Sequence, residues 1–213
     1  MGRNKSFDET EVLDRVVQRF WTRGYKATSV RDLEQATGLT TASLYNAFGD
    51  KKSLFRSALQ RYLDLSTRRR IAVLETSQQP LAAIETFLRS VVELSASSSD
   101  GCFLVNSAVE VAAHDVEIGA DVAAALRDVE AALLVAIRRG QSDGSITADV
   151  EANRLATSVM GTIVAIRVMS RLPVERHTLE VLAENQLASL HSGAGAPLAA
   201  GGDAPVAAAR PSR

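Results

Sequence analysis

Apolar residues recur at helical spacing along most of the chain, and no stretch alternates in the manner of a half-buried strand. Val12, Leu13, Val16, Val17, Phe20 and Trp21 form one face of a first helix. Asp8 stands where an N-cap is needed, Glu11 follows as in a capping box, and Gly24 supplies the stop. A second helix starts after Thr28, read as its N-cap, carries Val30, Leu33 and Ala36, and stops at Gly38. A third runs from Thr40 or Thr41 to about Phe48, with Leu44 and Phe48 inward and Gly49 at its end. Asp50 then caps a longer helix, 51–77, that holds Leu54, Phe55, Ala58, Leu59, Tyr62 and Leu65. Further helices are predicted over 80–96, 102–113, 116–139, 150–172 and 174–190, with a loop at 95–101 and a turn at 140–149. From Ser192 onward Gly, Ala and Pro dominate, periodicity ends, and a disordered tail is expected. The fold class is therefore all-α, with about nine helices.

The informative stretch is 29–48, SVRDLEQATGLTTASLYNAF. Two short helices crossing steeply need a small residue where they touch and a glycine in the turn, and Ala36 and Gly38 meet both needs. Leu33, Leu39 and Leu44 can make the small core, which leaves Thr40, Thr41, Ala42, Ser43, Tyr45 and Asn46 outward. Short hydroxyls suit phosphates and base edges, Asn46 suits an adenine edge, and Ala42 or a threonine methyl suits a thymine methyl. Tyr45 can reach a phosphate. Lys51 opens the next helix, where its charge and the backbone N–H groups can clamp another. Arg3 and Lys5 make a basic arm. The stretch predicts a helix-turn-helix that reads DNA.

Charge sharpens this. The net charge is −1, yet residues 1–70 hold 14 Lys and Arg against 8 Asp and Glu. The remainder is acidic, and a basic end on an acidic body is the asymmetry expected where one end meets a polyanion. With 46% hydrophobic residues the chain can bury a sizeable core. The single cysteine, Cys102, excludes an intrachain disulfide and fits a reducing cytoplasm. The N-terminus has no apolar signal segment, and 155–172, the longest apolar stretch, is broken by Arg167 and Arg171, so neither export nor a membrane span is expected. His114, His177 and His191 are scattered without metal-ligand spacing. There is no phosphate loop, nucleophile elbow or carboxylate pair, so no catalytic residue, metal or cofactor is expected.

The run from Phe20 to Phe55 resembles the N-terminal DNA-binding domain of TetR-type repressors. It carries Phe20, Gly24, Tyr25, Thr28, Ser29, Gly38, Leu44, Tyr45, Phe48, Lys51, Leu54 and Phe55 at the family's spacing. It departs at Thr41-Ala42, where the family has a charged or glycine pair, which leaves the operator sequence open. The resemblance implies a helix-turn-helix domain over 1–50, a ligand-binding and dimerisation domain over 51–192 and a tail over 193–213. It implies operator contacts from Thr28, Ser29, Thr40, Thr41, Ser43, Tyr45, Asn46 and Lys51. It also implies a homodimer through the last two long helices, with Leu155, Ser158, Val159, Ile163, Leu179, Leu182 and Leu187 as candidates. A dimer would supply the second half-site that one short recognition helix cannot.

Residues 101–110 are similar to a motif of one branch of that family, Gly-Cys-x-x-Val-Asn-x-x-x-Glu, whose helix borders an effector cavity. The middle helices offer apolar side chains and few charges, so a small, mostly apolar effector is expected among Phe87, Cys102, Phe103, Asn106, Val109, Glu110, Leu134 and Met160. Asn106 and Glu110 share a helix face and serve either as pocket groups or as fixings for the helix. Cys102, placed in a first helical turn, is either a small packing residue or a reactive thiol. The thiol reading makes the chain an electrophile- or oxidant-sensing repressor.

Overall fold

The computed structural model describes residues 7–191. The basic arm at Arg3 and Lys5 and the tail over 193–213 lie outside those residues. Every regular element among them is helical: α1 Glu9–Arg23, α2 Val30–Thr37, α3 Thr41–Phe48, α4 Lys51–Tyr62, α5 Arg68–Thr76, α6 Pro80–Ser97, α7 Phe103–Glu110, α8 Val116–Asp143, α9 Ala152–Met169 and α10 Arg176–His191. A π-helical segment, Leu63–Thr67, joins α4 to α5, so the two run on as one rod.

The caps explain most boundaries. Asp8 caps α1 by accepting from the Thr10 amide at 2.8 Å, but Glu11 turns away to Arg15 at 2.5 Å and closes no capping box. The box forms one helix later. Ser29, not Thr28, caps α2, and Asp32 returns a bond from the Ser29 amide. The π segment follows from the inward positions of the rod. Tyr62, Ser66, Arg70 and Leu74 face inward at a spacing of four, and a regular helix would rotate that row by about 40° at each step. The wider π turn absorbs part of the drift.

Two buried cores result. Around α1–α4, Val16, Phe20, Leu33, Leu44, Leu54 and Phe55 pack with Phe103 and Leu104 of α7 and Ile118, Val122 and Ala125 of α8. Helices α5, α6, α9 and α10 surround the other, which takes Val129, Ala132, Leu133, Ala136 and Ile137 from the rest of α8. Helix α8 thus serves both. It runs past Gly140, where the sequence pattern predicts a turn; the glycine there is a packing residue, since a Cβ would meet Ile146 Cδ1 at 2.5 Å. Its stop is Gly144, in the left-handed region at φ 79°.

Candidate nucleic-acid interface

The α2–α3 pair is locked by side-chain bonds to the backbone. The Ser29 hydroxyl takes the Asp32 amide at 3.2 Å and donates to the Asp32 carboxylate at 2.6 Å. That carboxylate also receives Arg19 and Arg23 at 2.7 Å each. The Ser29 hydrogen bonds first, and the two guanidiniums after them, hold Asp32 down at about 2. Across the turn, Glu34 accepts both the amide and the hydroxyl of Thr41 at 2.6 Å, which keeps its carboxyl below the ordinary range. Gly38, at φ 74°, sends its N–H back to the Glu34 carbonyl. Thr40 caps α3 through the Ser43 amide. Leu33 and Leu44 are fully buried beneath.

With Leu44 inward, α3 turns Ala42 and Asn46 to solvent, with Thr40 beside them and Ser43 and Tyr45 half-exposed. Burial first, and the nearby Asp50 charge second, raise the Tyr45 hydroxyl above its ordinary range. Thr28 does not join this surface. It is fully buried and its hydroxyl donates to the Gly24 carbonyl at 2.6 Å, so its expected role at DNA is corrected to closing the turn after α1. Lys51 stands with Nζ 4.5 Å from the centroid of the Tyr25 ring, and burial lowers its pKa. The α4 N-terminus beside it is already capped by Asp50, which accepts from the Ser53 amide. Pattern reading missed Lys26 and Arg31, which are exposed and form no ion pair among the described residues. The available signal was an arginine in the first turn of α2, where the helix dipole disfavours a cation unless an anion meets it.

The reading surface is tied to the rest of the molecule. Glu110 of α7 accepts from the Tyr25 and Lys26 amides at 3.1 and 2.7 Å. It fixes the turn after α1, and it also borders a cavity with Asn106 and Val109. Lys52 and Arg56 of α4 pair with Asp115, Glu117 and Asp121 at the start of α8. An edge-to-face chain of rings runs from Trp21 through Tyr62, Phe103 and Phe55 to Phe20.

Of the expected effector residues, Asn106, Val109 and Glu110 line one cavity of about 330 Å³, and the others lie away from it. Phe87, Leu134 and Met160 belong to the core shared by α5, α6, α9 and α10, whereas Phe103 belongs to the core under α1–α4. Val109 is 75% exposed. Asn106 donates to the Asp100 carbonyl at 2.8 Å and fixes the loop before α7. Cys102 precedes α7 at its N-cap instead of lying in its first turn, half-buried, with Sγ 3.4 Å from the Tyr62 hydroxyl. The dimer candidates need a similar correction. Leu155, Val159, Ile163 and Leu179 are buried within their own chain, because an apolar stripe of that length is what the core requires. The outward row of α9 is instead Arg154, Ser158, Gly161, Ala165 and Val168. Leu182 and Leu187 stay partly exposed on α10. Among the described residues no His, Cys, Asp and Glu cluster can hold a metal ion, and no helix is long and apolar enough to cross a membrane.

Two family models match the chain. Residues 12–58 match the one described as bacterial regulatory proteins, tetR family, and residues 79–184 one described as tetracyclin repressor-like, C-terminal domain. The chain is 27% identical over 187 residues to the HTH-type transcriptional regulator YezE of Bacillus subtilis, covering 84% of this chain and 94% of that protein. It is 35% identical over 109 residues to the HTH-type transcriptional repressor ComR of Escherichia coli, covering 50% and 52%. A cysteine mutant of the TetR-family regulator CifR, solved with a 26-bp double-strand operator DNA, superposes with a TM-score of 0.79 at 30% identity, over 88% of this chain and 99% of that one.

Proposed function

This chain belongs to the tetR family of bacterial regulatory proteins, and from that membership we propose that it is a homodimeric repressor that binds an operator through α3 and leaves it when a small effector binds. The observation that carries the reading is the α3 surface itself. One face of the helix completes a buried core while the other offers Thr40, Ala42, Ser43, Tyr45 and Asn46, on a turn that Glu34 holds rigid. Asn46 is the candidate for a bidentate adenine contact, and Lys26, Arg31 and Lys51 are the candidates for phosphates. The hydroxyls of Ser29 and Thr41 are committed to Asp32 and Glu34, so their part is to hold the helices in place for the contacts around them.

Two copies would place two α3 helices about one DNA turn apart, roughly 34–36 Å. The outer faces of α9 and α10 fit that assembly, since Ser158 and Gly161 are small and exposed enough to let a second helix approach closely. The test is fluorescence anisotropy with the DNA upstream of the chain's own gene. Binding should prefer that sequence over scrambled DNA and weaken steeply with salt. Asn46→Ala should cost about 1–3 kcal/mol on the preferred sequence and little on scrambled DNA. Equal affinity for both DNAs in the unmodified protein would sink the proposal.

A further inference from the structure

A cavity of about 370 Å³ lies between α1 and the helices behind it. That is near the lower end of small-molecule pockets, which run from about 300 to 1,000 Å³. Trp21 of α1 forms one wall, Tyr62, Leu65 and Ser66 of the rod another, and Arg70 of α5 and Arg167 of α9 close the back. Two of these residues, Leu65 and Ser66, belong to the π-helical segment, a distortion that often marks functional sites.

The polar groups here are unusual in kind. Arg167 is 5% exposed, yet among the described residues its side chain makes one bond, a 3.3 Å contact from Nη1 to the Ser95 hydroxyl, and pairs with no carboxylate. Arg70 beside it has no ion pair either among the described residues. Burial, and after it the facing Arg167 charge, lower the Arg70 pKa. Trp21 Nε1 is buried with no hydrogen-bond partner among the described residues, and Ser66 Oγ is buried beside the Tyr62 hydroxyl. Asp14 is the one acid on the lining, and both its oxygens receive Arg61, at 2.8 and 3.0 Å. A buried guanidinium without a counter-ion is costly, and a second one nearby adds repulsion. The cavity offers donors and positive charge on the inside, and an apolar rim at Leu65 and Leu94, which are 39% and 42% exposed.

We propose that this cavity binds a small organic carboxylate with an apolar body, its head held by Arg167 and Arg70 with Trp21 Nε1 and Ser66 Oγ completing the bonds. The guanidinium fork matches the two oxygens of a carboxylate, and the rim covers the rest of the molecule. Such a ligand would bind helices of both cores at once. It would tie α1, which supports the DNA-reading pair, to the rod and to α9, and so favour one arrangement of the two. Its role as the effector site rests on the function proposed above; its existence as a site does not. It adds a carboxylate head to the mostly apolar effector expected from the sequence.

Trp21 is the only tryptophan in the chain, so intrinsic emission reads the cavity directly. Octanoate and phenylacetate should change it saturably, with midpoints at least about tenfold below those of their neutral amides. Arg167→Gln and Arg70→Gln should each raise the midpoint for the acids at least about tenfold while leaving that for the amides in place. If circular dichroism shows that Arg167→Gln does not fold, Arg70→Gln and Ser66→Ala decide the question. No saturable change up to about 10 mM acid, equal response to acid and amide, or unchanged binding by folded variants would each overturn the site. An operator titration with saturating octanoate separates the two proposals. Acid binding with unchanged operator affinity keeps the site and removes its effector role. Acid binding by a protein with no operator preference keeps the site and removes the repressor reading.

Discussion

Gly24 answers two demands at a single residue. Its φ of 84° lies where a side chain is strained, and a Cβ would stand 2.5 Å from Glu110 Oε2. The carboxylate cannot simply move aside, because it holds the Tyr25 and Lys26 amides. Gly24→Ala should destabilise the protein by about 1–3 kcal/mol, read from the urea midpoint, and an unchanged midpoint would show that Glu110 yields freely. Asp32 makes a second prediction, in pH. Its carboxyl is held at about 2 against an ordinary 3.8, so its stabilisation is complete above about pH 4 and is lost as pH falls toward 2. Asp32→Asn should therefore be less stable than the unmodified chain near pH 7, and the gap should narrow steadily below about pH 4. A gap independent of pH would assign the effect to shape instead of charge.

At the scale of elements, the capped ends were readable in advance. Asp8, Pro80, Gly24, Gly38 and Gly49 stand where their chemistry requires. The errors share one cause, which is that periodicity reports burial without reporting the partner. It finds Leu155, Val159 and Ile163 as one stripe but cannot distinguish a stripe facing α8 from one facing a second chain. Likewise Gly140 reads as a breaker, because nothing local announces Ile146 against it. The π segment is invisible to a search for a 3.6-residue period, and Lys26 and Arg31 carry no apolar signal at all. Gly161 tests the dimer face proposed above. A Cβ there meets nothing within 4 Å in the single chain. Gly161→Arg should leave thermal stability of the chain itself intact, yet shift the species seen by light scattering from dimer to monomer. A dimer that survives the change would place the interface elsewhere.

For the whole molecule, the two cores do not divide the chain at residue 50. Leu54, Phe55, Ala58 and Leu59 of α4, Phe103 of α7 and Ile118 of α8 all belong to the buried core that α1–α3 share. A fragment of residues 1–50 loses those partners and is small enough to be marginal in any case. It should give a coil-like circular dichroism spectrum at 25 °C; a cooperative melt from the fragment would show that the three helices suffice. The helix-turn-helix was legible early because its constraints are local, whereas the connection to the other helices was not, because it lies in pairs such as Glu110 with Tyr25 and Arg56 with Asp121 that are 65 or more residues apart.

Helix α8 is one unbroken α-helix of 28 residues, anchored in one core at its start and in the other along its remainder. At 1.5 Å per residue it measures roughly 42 Å. Mechanically it is a beam shared by two loads, and a beam converts angle into distance. A tilt of about 5° at one end moves the other by roughly 4 Å. Each nucleotide of one strand rises about 3.4 Å along the duplex axis. A rearrangement too small to disturb either core would thus displace the reading surface by about one base-pair step.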